Sequence, residues 1–347
     1  MKKFSCVAAL YLASLLAVAQ TTASLSSADL IKKAEAGDAE AQFQLGRAYE
    51  DGESVEQSDE LAVHWYRKSA EQGNARAENS LGVMYSRGHG VPRDKEEAFR
   101  WYRKAAKQGL PEADFNIAIS YYNGDGAGSD LNRAYAWILI AKRHGSSNAG
   151  QALAQISQDL HGHLEFGTML LGQLYEKGEE TPKDLNAAFD TYLQGANSDP
   201  KRAGAAQFKL CQFYGTGTGV PQDVVEARSW CKTAARNGIP AAMVVLGHMA
   251  ENGVGTEKNL KEAEQWYQDA AVQMDRDGFM ALGRLKFNSS SHNDQRDAYF
   301  WFYLASVYKM PGAQEQLQKA AANLSSEEIS KEQKKAAEWR KTIHVKR

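Results

Sequence analysis

Gln72-Gly73-Asn74-Ala75-Arg76-Ala77, then Leu81-Gly82-Val83-Met84-Tyr85, Gly88-His89-Gly90-Val91-Pro92-Arg93-Asp94, Ala98 and Trp101-Tyr102-Arg103-Lys104-Ala105-Ala106 span one 36-residue period of the chain. Outward from it, Gly37, Gly73 and Gly109 are 36 apart, as are Trp65, Trp101 and Trp137, and later Trp230 and Trp266. With the glycine of Leu81-Gly82 as position zero, position +3 is Tyr49, Tyr85, Tyr121, Tyr175 and Tyr214. Position +6 is Gly52, Gly88, Gly124, Gly178, Gly217 and Gly253, and +16 is Ala62, Ala98, Ala134, Ala188, Ala227 and Ala263. Seven copies are traceable, the fourth and seventh degraded. A fixed period of this length marks a repeat architecture, so the usual count of globular domains by length does not apply.

Each copy predicts two helices. Helix A runs from about −7 to +4, with small or apolar residues at −5, −1, 0 and +3, one face of a 3.6-residue period. The +6 glycine stands where a chain leaving a helix turns into the left-handed region, which lacks a steric penalty only for glycine. Position +12 is Asp94, Asp130, Asp184 and Asp223, an acceptor for the first free N–H groups of helix B. Asp94/Glu97, Asp223/Glu226 and Asn259/Glu262 fit the capping box. Helix B buries Ala at +16 and an aromatic residue at +19 or +20, and Pro111 and Pro240 open the next helix at its first position. One hairpin cannot bury its own apolar face, so neighbours stack.

These residues resemble the Sel1-like repeat, a relative of the tetratricopeptide repeat with a longer loop between its helices. The resemblance covers about residues 30 to 310. It implies an all-α fold, a right-handed α/α superhelical solenoid of about seven repeats. It also implies a protein-interaction module, in bacteria often an exported one.

The rest of the sequence narrows the setting. Met1-Lys2-Lys3, an uncharged run from Phe4 to Ala19 and Ala17-Val18-Ala19 read as a cleaved signal peptide over 1–19, whose boundary could extend to 23. No integral membrane segment is expected in the mature chain, and the protein is expected to be exported, periplasmic or secreted, and bacterial. Lys and Arg total 41 against 43 Asp and Glu, a net charge of −2 without a long basic run, so no nucleic acid is expected as partner. A Tyr-x-Trp ending followed by an extra helix occurs at Tyr135/Trp137 and, 164 residues later, at Tyr299/Trp301. Two blocks follow, 24–161 and 162–347, each closed by a cap-like helix.

Three cysteines are too few for a disulfide scaffold. Cys6 leaves with the leader. Cys211 takes position 0 of the fifth copy and Cys231 takes +20, where Tyr66, Tyr102, Tyr192 and Tyr267 stand in other copies. Both facing positions change together in an exported chain, which predicts a disulfide between helices A and B. Trp65, Trp101, Trp137, Trp230, Trp266 and Trp301 fall on or beside +19 and are expected in the repeat core.

No catalytic residue, metal or cofactor is expected. Gly215-Thr216-Gly217-Thr218-Gly219 is the repeat's own A–B turn and no Gly-Lys-Ser/Thr follows it. His161 and His163 lack a third ligand. Ser-x-x-Lys occurs at Ser198/Lys201, Ser229/Lys232 and Ser306/Lys309 without its Ser-Asp-Asn or Lys-Thr-Gly companions. It matters because some cysteine-rich relatives are linked to penicillin binding.

At 100° per residue, −2, +1 and +5 of helix A face away from the buried stripe, along the concave side of such arrays. The candidate partner surface is Gln44, Arg47, Val83, Arg87, Asn116, Ile119, Asn123, Gln173, Lys209, Gln212, His248 and Arg284. Apolar Val83 and Ile119 among amides and cations suit a protein or extended peptide partner. The reading is a non-enzymatic, monomeric scaffold of the envelope or secreted fraction. The alternative is a cell-wall-related enzyme or binder recognising peptidoglycan or a β-lactam-like ligand.

Overall fold

The computed structural model describes residues 27–345, which form 18 helices and no strand. The signal-peptide reading over 1–19 lies outside the described residues. Helix α1 (Ser27–Glu35) precedes three hairpins: α2 (Ala39–Asp51) with α3 (Asp59–Glu71), α4 (Ala75–Arg87) with α5 (Lys95–Lys107), and α6 (Pro111–Asn123) with α7 (Leu131–Arg143). A single helix, α8 (Ala149–Asp159), follows. Four more hairpins come next: α9 (Glu165–Lys177) with α10 (Leu185–Ser198), α11 (Gly204–Thr216) with α12 (Val224–Arg236), α13 (Pro240–Asn252) with α14 (Leu260–Val272), and α15 (Arg276–Phe287) with α16 (His292–Val307). The last of these carries two further helices, α17 (Ala313–Ala321) and α18 (Ser326–Val345), both packed against α16.

The residues fall into two compact units. The first holds the described residues up to His161 together with Glu179–Pro182, and the second holds Gly162–Gly178 and Lys183 onward. Within each unit, helix A packs on its own helix B, and that helix B packs on the next helix A.

The helix ends follow the sequence chemistry. Asp94, Asp130 and Asp184 accept from the N–H of Glu97 (2.9 Å), Arg133 (3.0 Å) and Ala187 (2.8 Å), and Asp223 accepts from both Val225 and Glu226. The reciprocal half of the capping box is absent in all three pairs, because the N–H groups of Asp94, Asp223 and Asn259 donate to the carbonyls of Tyr85 (2.9 Å), Tyr214 (2.9 Å) and Ala250 (2.7 Å) at the end of helix A. Pro111 and Pro240 occupy the first helical turn, where no N–H partner is needed. At +6, Gly52, Gly88, Gly124, Gly178, Gly217 and Gly253 all adopt left-handed φ values and close helix A.

Three contacts recur with the repeat. Position 0 faces +20: a Cβ on Gly46 would lie 2.6 Å from the Tyr66 ring, and one on Gly82 would lie 2.6 Å from that of Tyr102. In the fifth hairpin this pair is a disulfide, with the Cα atoms of Cys211 and Cys231 5.2 Å apart. Position −4 bonds to +26, tying the start of helix A to the end of helix B. The pairs are Gln72 Nε2 to Gln42 Oε1 (2.7 Å), Gln108 Nε2 to Glu78 Oε2 (2.8 Å), His144 Nδ1 with Asp114 Oδ2 (2.6 Å) and Asn237 Nδ2 to Gln207 Oε1 (2.7 Å). Position +8, with left-handed φ at Gly90, Gly126, Gly219 and Gly255, sets the A–B loop on the backbone that opens the preceding helix B. A Cβ on Gly90 would lie 2.7 Å from the Glu60 amide nitrogen, and one on Gly255 would lie 2.6 Å from the Val224 carbonyl oxygen. The first hairpin has Ser54 there, also left-handed, and the fourth has Glu180.

Candidate functional site

Helix A presents the same geometry in every repeat. Positions −5 and −1 are buried throughout, from Ala41 and Leu45 to Gly278 and Leu282. Their burial leaves −2, +1 and +5 toward the solvent side of the helix, except at −2 of the seventh hairpin, where Ala281 is buried. In the first unit Gln44, Arg47, Arg87 and Asn123 are exposed, and Val83, Asn116 and Ile119 are half-buried. Arg47 pairs with Asp51 at 3.6 Å, Gln44 donates to Glu40 at 3.1 Å, and Asn116 donates to Asn79 at 2.9 Å. Arg87 makes no ion pair among the described residues. A cavity of about 240 Å³ opens at the start of this stripe, lined by Leu30, Gln44, Leu45, Arg47, Asp51 and Val55. Val83 and Ile119 stand outside it.

In the second unit, Gln212 and Arg284 are exposed, while Gln173, Lys209 and His248 are half-buried. Lys209 is taken by Glu176 at 2.9 Å. Around His248 the structure gathers two residues that the helical-face reading passed over. Tyr267 Oη lies 2.6 Å from Glu251 Oε2 and 2.8 Å from His248 Nδ1. Tyr267 comes from +20 and Glu251 from +4, so the signal for the pair was the recurrence of those types together. Tyr66 with Glu50 (2.5 Å) and Tyr192 with Glu176 (2.7 Å) repeat it. Burial pushes the Tyr267 phenol well above its ordinary range, and the Glu251 carboxylate reinforces the shift. Burial holds His248 below the usual imidazole value, and the Arg284 charge adds to this against the opposing pull of Glu251 and Asp277.

The tryptophans grade from sealed to half-buried. Trp137 is enclosed, Trp65 and Trp101 are buried, and Trp230, Trp266 and Trp301 are half-buried. Trp301 stacks on Phe279 at 6.1 Å, and Trp339 of α18 meets both edge-on. Of the Ser-x-x-Lys serines, Ser198 and Ser306 spend their hydroxyls on carbonyls of their own helices, Gly195 and Tyr303. His161 contacts the Asp159 carbonyl, and His163 Nδ1 lies 3.0 Å from Arg202 Nη1. Among the described residues no three His, Cys, Asp or Glu side chains gather as a metal site, and no helix is long and apolar enough to cross a membrane.

Stacked hairpins joined by Gly-closed loops, with one variable stripe per helix A, define an α/α repeat protein. The Sel1 repeat family model matches residues 39–74, 75–110, 111–146, 167–199, 204–239 and 240–271. The chain belongs to the Sel1 repeat family. The seventh hairpin, α15 with α16, keeps the close contact of Gly283 with Phe302 but falls outside those matches. The chitin synthase regulator SKT5 of Saccharomyces cerevisiae is 35% identical over 118 residues, 33% of this chain and 16% of that protein. The exopolysaccharide production negative regulator of Rhizobium meliloti is 28% identical over 160 residues, 44% of this chain and 57% of that one. The chain therefore spans less than two thirds of either relative. Among solved structures, c5321, a protective antigen of uropathogenic Escherichia coli, is 28% identical, with 91% of this chain and 71% of that chain covered and a TM-score of 0.44. A Sel1 repeat protein of Oxalobacter formigenes is 32% identical, with 67% and 85% covered and a TM-score of 0.31.

Proposed function

We propose that this chain is a non-enzymatic scaffold of the bacterial envelope or secreted fraction that holds a protein or extended peptide along its A-helix faces. The observation that carries the reading is the stripe itself. The repeat fixes −5 and −1 as core, while −2, +1 and +5 vary from copy to copy and include half-exposed Val83 and Ile119 along with exposed Arg47 and Arg87. Apolar side chains rimmed by cations and amides make an adaptable contact surface. The relatives named above are called regulators, a role that fits binding without catalysis, and the buried Cys211–Cys231 bridge fits an oxidising compartment.

The test is capture of envelope-fraction proteins by the immobilised protein. Replacing Arg47, Arg87 and Ile119 together with Ala is expected to lower capture of the specific partner by at least tenfold at an unchanged far-UV spectrum. Full capture by the triple variant rejects the assignment of the first unit's stripe.

A further inference from the structure

The second unit's stripe carries two polar groups that are not fully used among the described residues. Arg284, exposed at +1 of α15, makes no side-chain hydrogen bond or ion pair among the described residues. His248, at +1 of α13 with its side chain 45% exposed, turns Nδ1 to Tyr267, with Glu251 3.8 Å away, and has no partner at Nε2 among the described residues. Of the two acids that act on His248, Glu251 holds the Tyr267 hydroxyl and Asp277 stands seven positions before Arg284 on α15. Among the described residues neither pairs with Arg284 or with His248 Nε2.

The proton arrangement follows from the hydrogen bonds. A phenol prefers to donate to a carboxylate over a neutral imidazole, since charge-assisted bonds are the stronger. Tyr267 thus gives its proton to Glu251 and offers only a lone pair to His248. The neutral imidazole must then carry its proton on Nδ1, which leaves Nε2 as a bare acceptor turned away from Tyr267. A carboxylate meeting that lone pair is repelled. Once His248 takes up a proton, Nδ1–H stays on Tyr267 and Nε2–H becomes a charged donor on the same +1 stripe as Arg284 of the next helix A.

We infer that His248 and Arg284 form a proton-gated seat for a carboxylate, so that this face takes an acidic segment of a partner protein and takes it more tightly as the pH falls. The inference rests on the interaction reading proposed above and adds the partner's charge and its control by pH. The groups facing His248 are Glu251 from its own helix, Tyr267 from α14, and Arg284 and Asp277 from α15. Burial and Arg284 keep the imidazole neutral near pH 7, so the seat is closed there. A bound carboxylate opposes both effects, and binding must therefore take up a proton.

The probe is a fluorescently labelled hexaglutamate peptide titrated by anisotropy against the intact protein at pH 7.5, 6.5 and 5.5, with hexaglutamine as its uncharged control. Glutamate, with an ordinary value of about 4.3, stays ionised over this range. The dissociation constant is expected to fall roughly tenfold from pH 7.5 to 5.5, within the limit of about tenfold per pH unit for one proton. His248→Gln is expected to bind weakly at every pH with no slope, and Arg284→Gln to lose about tenfold in affinity at pH 5.5. Three outcomes overturn the inference: a flat pH response of the unmodified protein, equal binding of hexaglutamine, or a slope retained by His248→Gln. The Arg47/Arg87/Ile119 variant distinguishes the two failures. If that variant loses partner capture while hexaglutamate shows no gated binding, the scaffold reading stands and the acidic seat falls.

Discussion

One added carbon at Gly82 would place a Cβ 2.6 Å from Tyr102 and 3.1 Å from the Ala98 carbonyl oxygen. Overpacking of this kind costs about 1–3 kcal/mol, while alanine regains up to about 1 kcal/mol of helix propensity. Gly82→Ala is thus expected to destabilise by about 1–2 kcal/mol, read as a lower urea midpoint. Asp114 gives a pH-dependent counterpart. Its side chain is fully buried, Oδ2 lies 2.6 Å from His144 Nδ1, and Oδ1 has no hydrogen-bond partner. Burial pushes the carboxyl up to about 6, with His144 pulling the other way. An acid raised in the folded state contributes stability that is complete below its unfolded value of about 3.9 and is lost as pH rises through about 6. Asp114→Asn is expected to remove that decline, so that urea stability changes by roughly 1–3 kcal/mol less between pH 4 and 7 than in the unmodified protein. The 0/+20 contact was legible because the same types recur there, and the cysteines exposed it by changing together. The −4/+26 bond was not, since both of its ends vary: −4 runs Gln42, Glu78, Asp114 and Gln207, and +26 runs Gln72, Gln108, His144 and Asn237. A period search over single positions finds little to count where the pairing is kept and the partners change.

At the level of helices, the fifth hairpin solves a problem that its neighbours solve differently. In three of the others a Tyr at +20 packs on Gly at 0 and its hydroxyl reaches Glu50, Glu176 or Glu251 at +4, fastening B to A at two points. The fifth has Gly215 at +4 and no tyrosine at +20, and the Cys211–Cys231 bridge joins α11 to α12 instead. A closed loop of 20 residues is worth on the order of 3 kcal/mol. Reduction, or Cys211→Ala with Cys231→Ala, is expected to lower the unfolding free energy by about that amount. Thiol titration of the denatured, unreduced protein should find no thiol beyond Cys6; two further free thiols would remove the bridge. Helix starts were the most readable part of the fold, because an Asp at +12 acts on its own next turn. The Tyr267–Glu251–His248 cluster was harder to read: it joins +20, +4 and +1, which lie on two helices and share no period along either.

On the scale of the whole chain, two units each contain an ordered run of hairpins, with α8 ending the first and α17 and α18 packed on the last hairpin of the second. The +8 position carries more about this organisation than its place in a loop implies. Gly90, Gly126, Gly219 and Gly255 occur in hairpins two, three, five and six, and each lies on the first turn of the helix B before it. Hairpins one, four and seven carry Ser54, Glu180 and Ser291 in that place. Where glycine stands at +8, a side chain would run into the first turn of the helix B before it. Hairpins two, three, five and six are thus bricks cut to lie on the brick before. Anyone shortening or extending the protein should therefore remove or insert these glycine bricks whole, and always behind another hairpin.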